Sequence, residues 1–487
     1  MQSRRDQVQA YFFVVGRLIS ALMQGRPDEP TTPTRRFVMG TVIGTLIGCL
    51  VVAGFGVYGL IKPGGNTTWQ QAGAIIVEKE TGARYLYMDG KLRPVLNYSS
   101  ALLAAKSSSG AQVKLVSQNS LKGAPRATPI GIPDAPDSLP DAESISSAPW
   151  VVCASTETAP DGSETPMTDL QVRTPIGKPL ADDKGVLVST PDGAVHLVWQ
   201  GKKLRMPGAG TMNALAYGNE RPFPVTAEWI NTLPSGPDLV APKIPGSGQP
   251  AGLTVNGEQA LIGQVFEVRN QVLQDNGLYV LREDGFMPLN YTLAALLLND
   301  PDNAAAYAGR TPELIPAGMD LLNSKPLSPE PTPAGFPITP PNIQPVSEGS
   351  STRPCAVFQA SRGNTVKSEI GLVPREEATG SGQAPADGSG APVADRITVA
   401  PNSGVLARDL PAPGVGVGTL YLVSNVGVKY PLPSPDVAGV LGYSASSAVS
   451  VPSALLSLLP TGPSLDPAQA LSEQPVSAEV PAATAPN

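Results

Sequence analysis

The chain has 487 residues, room for about three domains, and carries 34 basic against 41 acidic side chains for a net charge of −7, which gives no electrostatic footprint for nucleic acid. Glycine (50) and proline (53) fill about one position in five, and only 15% of residues are charged; that excludes a coiled coil or an ordinary helical bundle, while 41% hydrophobic content excludes a uniformly disordered chain. One histidine and three cysteines are too few for a zinc finger, a multi-histidine metal centre or an iron–sulfur cluster, so neither a metal nor a cofactor is expected.

The first predicted element is a helix from Ser3 to Gln24. Ser3 and Asp6 fit a capping box, and Val8, Tyr11, Phe12, Val15, Leu18, Ile19 and Leu22 recur at steps of three and four before Gly25 and Pro27 stop the pattern. This amphipathic helix has no core of its own to cover, so its apolar face needs a cytoplasmic protein or the bilayer surface. After it, residues 37–61 read FVMGTVIGTLIGCLVVAGFGVYGLI without a charge, long enough to cross a hydrocarbon core of about 30 Å. Arg4, Arg5, Arg17, Arg26, Arg35 and Arg36 precede this span and only Lys62 follows it closely, which puts the N-terminus in the cytoplasm and everything from about Gly64 outside the membrane. Gly40, Gly44 and Gly48 share one stripe of the span. They form either a packing face for neighbouring helices or the ordinary glycine of a membrane helix.

Beyond the span, four segments align: RYLYMDGKLRPVLNYSSALLAA from Arg84, VHLVWQGKKLRMPGAGTMNALA from Val195, LYVLREDGFMPLNYTLAALL from Leu278, and LYLVSNVGVKYPLP from Leu420. Tyr85, His196, Tyr279 and Tyr421 occupy one aligned position, Gly90, Gly201, Gly285 and Gly427 a second, and Pro94, Pro207, Pro288 and Pro431 a third. Alternating apolar residues around a glycine turn predict a hairpin, and the Asn or Ser that follows caps a short helix. One such unit cannot bury both faces of its hairpin, so the copies pack on a further strand, on each other or on a central domain. Their unequal spacing argues against a tight solenoid. WINTLPSGPDL from Trp229 echoes LSLLPTGPSL from Leu456, and both are expected to lie across the surface as loops or helix ends. Pro125 to Pro140, Pro326 to Pro345 and Gly380 to Pro392 read as linkers or extended loops, and the tail from Ser472 as disordered.

The fold class expected is α+β: one N-terminal transmembrane helix and an elongated outer region, in which a central β-rich core carries about four hairpin-helix repeats. The boundaries run 1–36 (cytoplasmic helix and linker), 37–61 (span), 62–145 (first repeat), 146–400 (core with the second and third repeats), 401–471 (fourth repeat) and 472–487 (tail). Cys49 lies in the span as a small apolar residue. Cys153 and Cys355, in strand-like runs outside the membrane, are expected to pair, with two free buried thiols as the alternative. A bridge between them closes a loop around the second and third repeats.

For catalysis the sequence is nearly silent, and no catalytic residue is assigned. His196 stands where the other repeats carry tyrosine, so it reads as a packing residue, and the usual general base is missing. There is no GxSxG elbow and no GxxxxGK[ST] phosphate loop. Asp300 to Asn303 lacks a calcium-loop glycine; Asp182-Asp183 and Glu376-Glu377 read as solvated acids in polar loops. Tyr85, Tyr87, Trp199 and Tyr279 discriminate between two non-catalytic roles. Laid out on a concave surface they favour a binding module, and buried between strands they favour scaffolding.

RRDQVQAYFFVVGRLISALMQGRPDEP, the arginine pair before one glycine-rich span, AIIVEKETGARYLYMDGKLRPVLNYSSALL and the two outer cysteines together resemble the EccB family, the membrane-anchored component of the actinobacterial type VII (ESX) secretion machine. The resemblance implies a disulfide-linked central domain with peripheral repeats similar to phage-lysin wall-binding repeats, and with them, as an alternative role, a module that contacts peptidoglycan or another envelope polymer. It also implies a large oligomer in the cell membrane containing EccC, the motor ATPase, EccD, which spans the membrane many times, and EccE, with the mycosin protease MycP as an outer partner. Members of the family have been labelled ATPases. Without a phosphate loop, and with most of the chain facing a compartment poor in ATP, hydrolysis stands here as the weaker alternative to a structural role.

Overall fold

The computed structural model describes residues 4–24, 33–61, 67–105, 112–172, 178–270, 275–328, 333–347, 349–359, 363, 365–378, 393–412, 414–415 and 418–475. Two helices open the chain, α1 (Arg4–Gln24) and α2 (Pro33–Ile61). Ser3, Gly25 and Pro27, which frame the first helix in the sequence, lie outside the described residues.

The first repeat comprises β1 (Ile75–Glu78), β2 (Arg84–Met88), β3 (Lys91–Pro94), α3 (Tyr98–Ala105), β4 (Val113–Val116) and α4 (Gln118–Leu121). The central strands β5 (Trp150–Thr158) and β6 (Glu164–Val172) follow, then the second repeat: β7 (Lys184–Ser189), β8 (Val195–Trp199), β9 (Lys202–Met206), α5 (Ala209–Ala214), β10 (Phe223–Pro224) and α6 (Ala227–Thr232). A separate hairpin, β11 (Pro250–Val255) and β12 (Glu258–Leu261), precedes the third repeat of β13 (Val265–Asn270), β14 (Asp275–Leu281), β15 (Phe286–Leu289), α7 (Tyr291–Leu298) and β16 (Ile315–Gly318), closed by a 3-10 turn at Met319–Asn323. After the short β17 (Asn342–Ile343) the chain returns to the centre as β18 (Thr352–Gln359), β19 (Lys367–Pro374), α8 (Arg375–Ala378) and β20 (Arg396–Val399). It ends with the fourth repeat, β21 (Val405–Leu410), β22 (Leu420–Val423), β23 (Lys429–Leu432), α9 (Pro435–Val440), β24 (Val449–Pro452) and α10 (Ser453–Leu456), and a last turn of helix, α11 (Pro467–Ala470).

Each repeat is more than the predicted hairpin and helix. A strand before the hairpin pairs with it antiparallel, and the strand after the helix returns parallel to that first strand, as in Ile75↔Val113, Val188↔Phe223, Phe266↔Ile315 and Ala407↔Val449. The predicted caps hold where the residue is asparagine. The Asn97 side chain accepts from the Ser100 N–H (3.0 Å) and that of Asn290 from the Leu293 N–H (2.8 Å). Ser434 and Gly208 begin the corresponding helices in the fourth and second repeats without a side-chain bond.

The outer edge of each hairpin is closed by a proline, which corrects the expectation that the proline-rich echoes lie across the surface. In all four repeats one edge residue donates its N–H to a proline carbonyl and accepts from the N–H two residues later: Leu92 with Pro125 and Ala127, Lys203 with Pro234 and Gly236, Phe286 with Pro326 and Ser328, Lys429 with Pro460 and Gly462, at 2.8–3.0 Å. Proline suits this place because its missing N–H faces away from the ladder. The segments starting at Pro125 and Pro326 are therefore edge clips and not free linkers, while 379–392 lies outside the described residues. These bonds also correct the alignment at Pro207. Arg205, opposite His196, takes the place of Pro94, Pro288 and Pro431.

The central sheet has the order β19-β18-β5-β6-β20. Trp150, Val152, Ala154, Ala356 and Phe358 on one face share a core with Val186, Val188 and Trp229 of the second repeat and Val405, Val423 and Leu455 of the fourth. The opposite faces of these two repeats pack in turn on the third and first repeats. Leu197 and Leu204 meet Val280 and Leu293, and Leu406 and Leu422 meet Leu86 and Leu103. The spatial order is therefore third, second, centre, fourth, first. The Gly131 N–H donates to the Ser472 carbonyl (3.3 Å) and the Gln474 N–H to that of Pro129 (2.9 Å), so the tail expected to be disordered from Ser472 is tied to the first repeat at its start; residues 476–487 lie outside the described residues.

The aligned turn glycines have unequal duties. In the first and second repeats two residues with positive φ, Asp89-Gly90 and Gln200-Gly201, make the tight turn. A Cβ on Gly90 would meet open space, whereas one on Gly201 would lie 2.1 Å from the Ser368 carbonyl oxygen of β19, and one on Gly427 2.5 Å from Ile397 of β20. Gly90→Ala is expected to cost about 1 kcal/mol of left-handed strain, and Gly201→Ala about 3 kcal/mol or more, because the turn must also withdraw from the central sheet. Thermal unfolding of the full chain in detergent measures both, and equal shifts would contradict the docking role of Gly201.

Candidate functional site

Helix α1 exposes its predicted apolar residues Val8, Tyr11, Phe12, Leu18 and Leu22, and Phe13 and Val14 widen the face beyond the predicted stripe. Within α2 the stretch Arg36–Gly59 is long and apolar enough to cross a membrane, and none of it is buried within the chain. Thr41 and Thr45 return their hydroxyls to the carbonyls four residues back, at 2.5 and 2.8 Å, which satisfies these two groups in hydrocarbon. Gly40, Gly44 and Gly48 have open space beside each Cα. No described residue occupies their stripe.

Outside the span, Cys153 and Cys355 form a disulfide between directly opposed residues of β5 and β18. The bridge is buried on the face of the central sheet turned away from the repeats, among Val151, Val357, Val373 and Ala378. It spans 202 residues of sequence and closes the loop that carries the second and third repeats. Glu376 and Glu377, expected in a polar loop, instead begin α8, which packs on these strands.

The four discriminating aromatic residues are packed against their own sheets. Tyr85 is buried and its hydroxyl bonds Glu78 (3.3 Å); Tyr87 packs edge-on against Trp69 at 5.4 Å between ring centroids. Trp199 donates its indole N–H to the Asp182 carbonyl (2.7 Å), and Tyr279 lies against Phe266 and Phe286. Tyr87, Trp199 and Tyr279 are only partly covered by these contacts.

The remaining acids serve local structure. Asp300 caps the 3-10 turn Pro301–Tyr307, and the Asp183 carbonyl receives the Asn342 N–H (2.7 Å). Among the described residues no three His, Cys, Asp or Glu side chains converge as metal ligands. His196 is half-buried on β8, and burial first, then Lys203 and Arg205, hold its imidazole below the ordinary value of 6.5, opposed by Asp192 and Asp238.

One exposed span, an amphipathic helix whose apolar face is largely exposed, and an outer region of stacked repeats around a disulfide-bridged central sheet define a membrane-anchored repeat protein. A family model described as type VII secretion system ESX-1, transport TM domain B, matches residues 1–478. The chain belongs to that family, EccB. It is 28% identical over 486 residues to the protein named ESX-3 secretion system ATPase EccB3 of Mycolicibacterium smegmatis, covering 96% of this chain and 90% of that protein. It is 26% identical over 487 residues to the ESX-1 secretion system ATPase EccB1 of Mycobacterium tuberculosis, covering 96% and 94%. The fold matches a chain of the intact ESX-5 inner membrane complex (TM-score 0.66, 23% identity, 98% of this chain and 96% of that one). It also matches the EccB3 dimer of the ESX-3 core complex (TM-score 0.65, 25% identity, 82% and 100%).

Two outcomes follow. Replacing both Cys153 and Cys355 by alanine is expected to lower stability by about 3 to 5 kcal/mol in the chain-entropy limit, measured by unfolding with and without reductant; a variant as stable as the parent would contradict the clamp. For His196 the folded state disfavours the proton, so the unfolded state binds more protons in the window below about pH 6.5. Stability present above that value is therefore lost on acidification, and His196→Gln should flatten this part of the melting-temperature profile between pH 7 and 5.5. Parallel profiles would contradict it.

Proposed function

We propose that this protein is a structural component of the type VII (ESX) secretion core complex in the cell membrane. In this reading α1 lies in the cytoplasm, α2 crosses the membrane once, and the outer region is a stiff arm. The orientation rests on the arginines that precede the span. The observation that carries the structural role is the packing of Tyr85, Tyr87, Trp199 and Tyr279 against their own sheets, Tyr85 buried and the other three partly covered, while most of the apolar face of α1 and the span in α2 stay exposed. Interior side chains are committed to rigidity, and the anchor is committed to other molecules.

The exposed face of α1 suits a cytoplasmic domain of EccC or EccD, the Gly40, Gly44 and Gly48 stripe suits close approach of a second membrane helix, and EccE and the mycosin protease MycP complete the set of proposed partners. Self-association is supported by the dimer and the inner membrane complex whose chains share this fold. ATP hydrolysis has the names of the relatives in its favour, but the sequence holds no GxxxxGK[ST] loop to cradle a triphosphate. The reading adopted is therefore a protein without catalysis of its own.

Gentle detergent extraction followed by size analysis and mass spectrometry tests this. The expected result is an oligomer carrying EccC, EccD and EccE, and a Phe12→Asp, Leu18→Asp variant of α1 should lose part of that set. A monomer free of all of them would sink the proposal. Hydrolysis of ATP that persists through purification and fails on a single substitution would restore the enzymatic reading.

A further inference from the structure

The second repeat departs from the other three at one cross-strand pair. Tyr85 faces Pro94, Tyr279 faces Pro288 and Tyr421 faces Pro431, whereas His196 faces Arg205. Where tyrosine is present, its ring belongs to the layer between the sheet and the short helix that follows the last strand. Tyr85 shares a cluster with Leu121 of α4, Tyr279 with Leu321 of the 3-10 turn, and Tyr421 packs on the core that includes Leu455 of α10. The corresponding layer of the second repeat, between β8–β9 and α6, holds the smaller imidazole and opens into a cavity of about 560 Å³.

That cavity is lined by His196, Lys203, Arg205, Thr190, Asp192 and Asn231. Lys203 is half-buried, with its ammonium on the Asn231 amide oxygen at 3.0 Å. Arg205 is exposed, and its guanidinium has no hydrogen-bond or ion-pair partner among the described residues. The Asp192 carboxylate is taken up locally by the Thr190 hydroxyl and the Ala194 N–H (3.2 Å) and pairs with neither cation. The Nδ1 atom of His196 is shielded from solvent and has no partner. The charged side chains that line the cavity are therefore two cations and one carboxylate, and that carboxylate is already engaged. Lys203 is partly desolvated and meets only a neutral amide, so an anion in the cavity offsets part of its cost.

We propose that this cavity binds the oxyanion group of a ligand, a phosphate or a carboxylate, between Arg205 and Lys203. The guanidinium supplies a planar fork suited to two oxygens, and Lys203 supplies a point charge already positioned by Asn231. The site is independent of the partners proposed above, because all of its residues come from one repeat.

Equilibrium dialysis of the full chain in detergent at pH 7, with labelled inorganic phosphate and separately with labelled acetate at ionic strength held constant with chloride, tests the site. Saturable binding of one anion per chain is expected. Preference for phosphate identifies a phosphorylated ligand, and preference for acetate a carboxylate. Affinity should fall at least tenfold in Arg205→Gln, and also in His196→Tyr, which restores the residue of the other repeats and leaves both cations in place. Lys91→Gln, an exposed cation of the first repeat, should bind as the parent does. Absence of saturation with both anions, parental affinity in both cavity variants, or an equal loss in Lys91→Gln would overturn the proposal.

Discussion

Each repeat contributes four strands to a sheet with two apolar faces, joined in the second repeat by β17, and its short helix can cover only part of one face. Burying the rest requires another layer, and the chain supplies it by stacking: third on second, fourth on first, and both pairs on one face of the central sheet. Four of the central strands come from two distant parts of the chain, β5–β6 and β18–β19. Their junction, β5 on β18 with Cys153 bonded to Cys355, is the contact on which the stack depends, because separating it would leave two half-sheets and no common core.

The edges impose the second constraint. Four repeats present four hairpin edges with unpaired main-chain groups, a template on which other strands can pair. Each is capped by a proline carbonyl and the N–H two residues on. Four of the 53 prolines have this duty. A residue that cannot continue a ladder ends one, and the chain leaves the edge toward the next element. With these edges capped, what remains for assembly is the membrane helix, the first helix and the surface of the stack.

Interior packing and the second-repeat cavity are two uses of one position. Tyrosine there closes the layer under the short helix; histidine opposite arginine opens it and charges it. The substitution was visible in the aligned sequences, and packing was the natural reading of it, since a lone histidine among tyrosines has no catalytic partner. Lys203 and Asn231 were not legible as its neighbours. Lys203 is on the adjacent strand and Asn231 on α6, and only the edge clip around Pro234 carries that helix back over the hairpin.

Local chemistry alone determined the elements of this protein. Uncharged length specified the span, Asp-Gly and Gln-Gly specified tight turns, asparagine specified two helix starts, and two cysteines outside the membrane specified a bridge; each rests on residues near in sequence or on a count. What those elements pack against was decided by the tertiary structure. Gly90 and Gly201 make the same turn from the same backbone requirement, yet one faces open space and the other sits on the main chain of β19. The order of the stack and the first strand of every repeat were equally hidden, because pairing between distant segments depends on faces and edges that exist only after the sheets have formed.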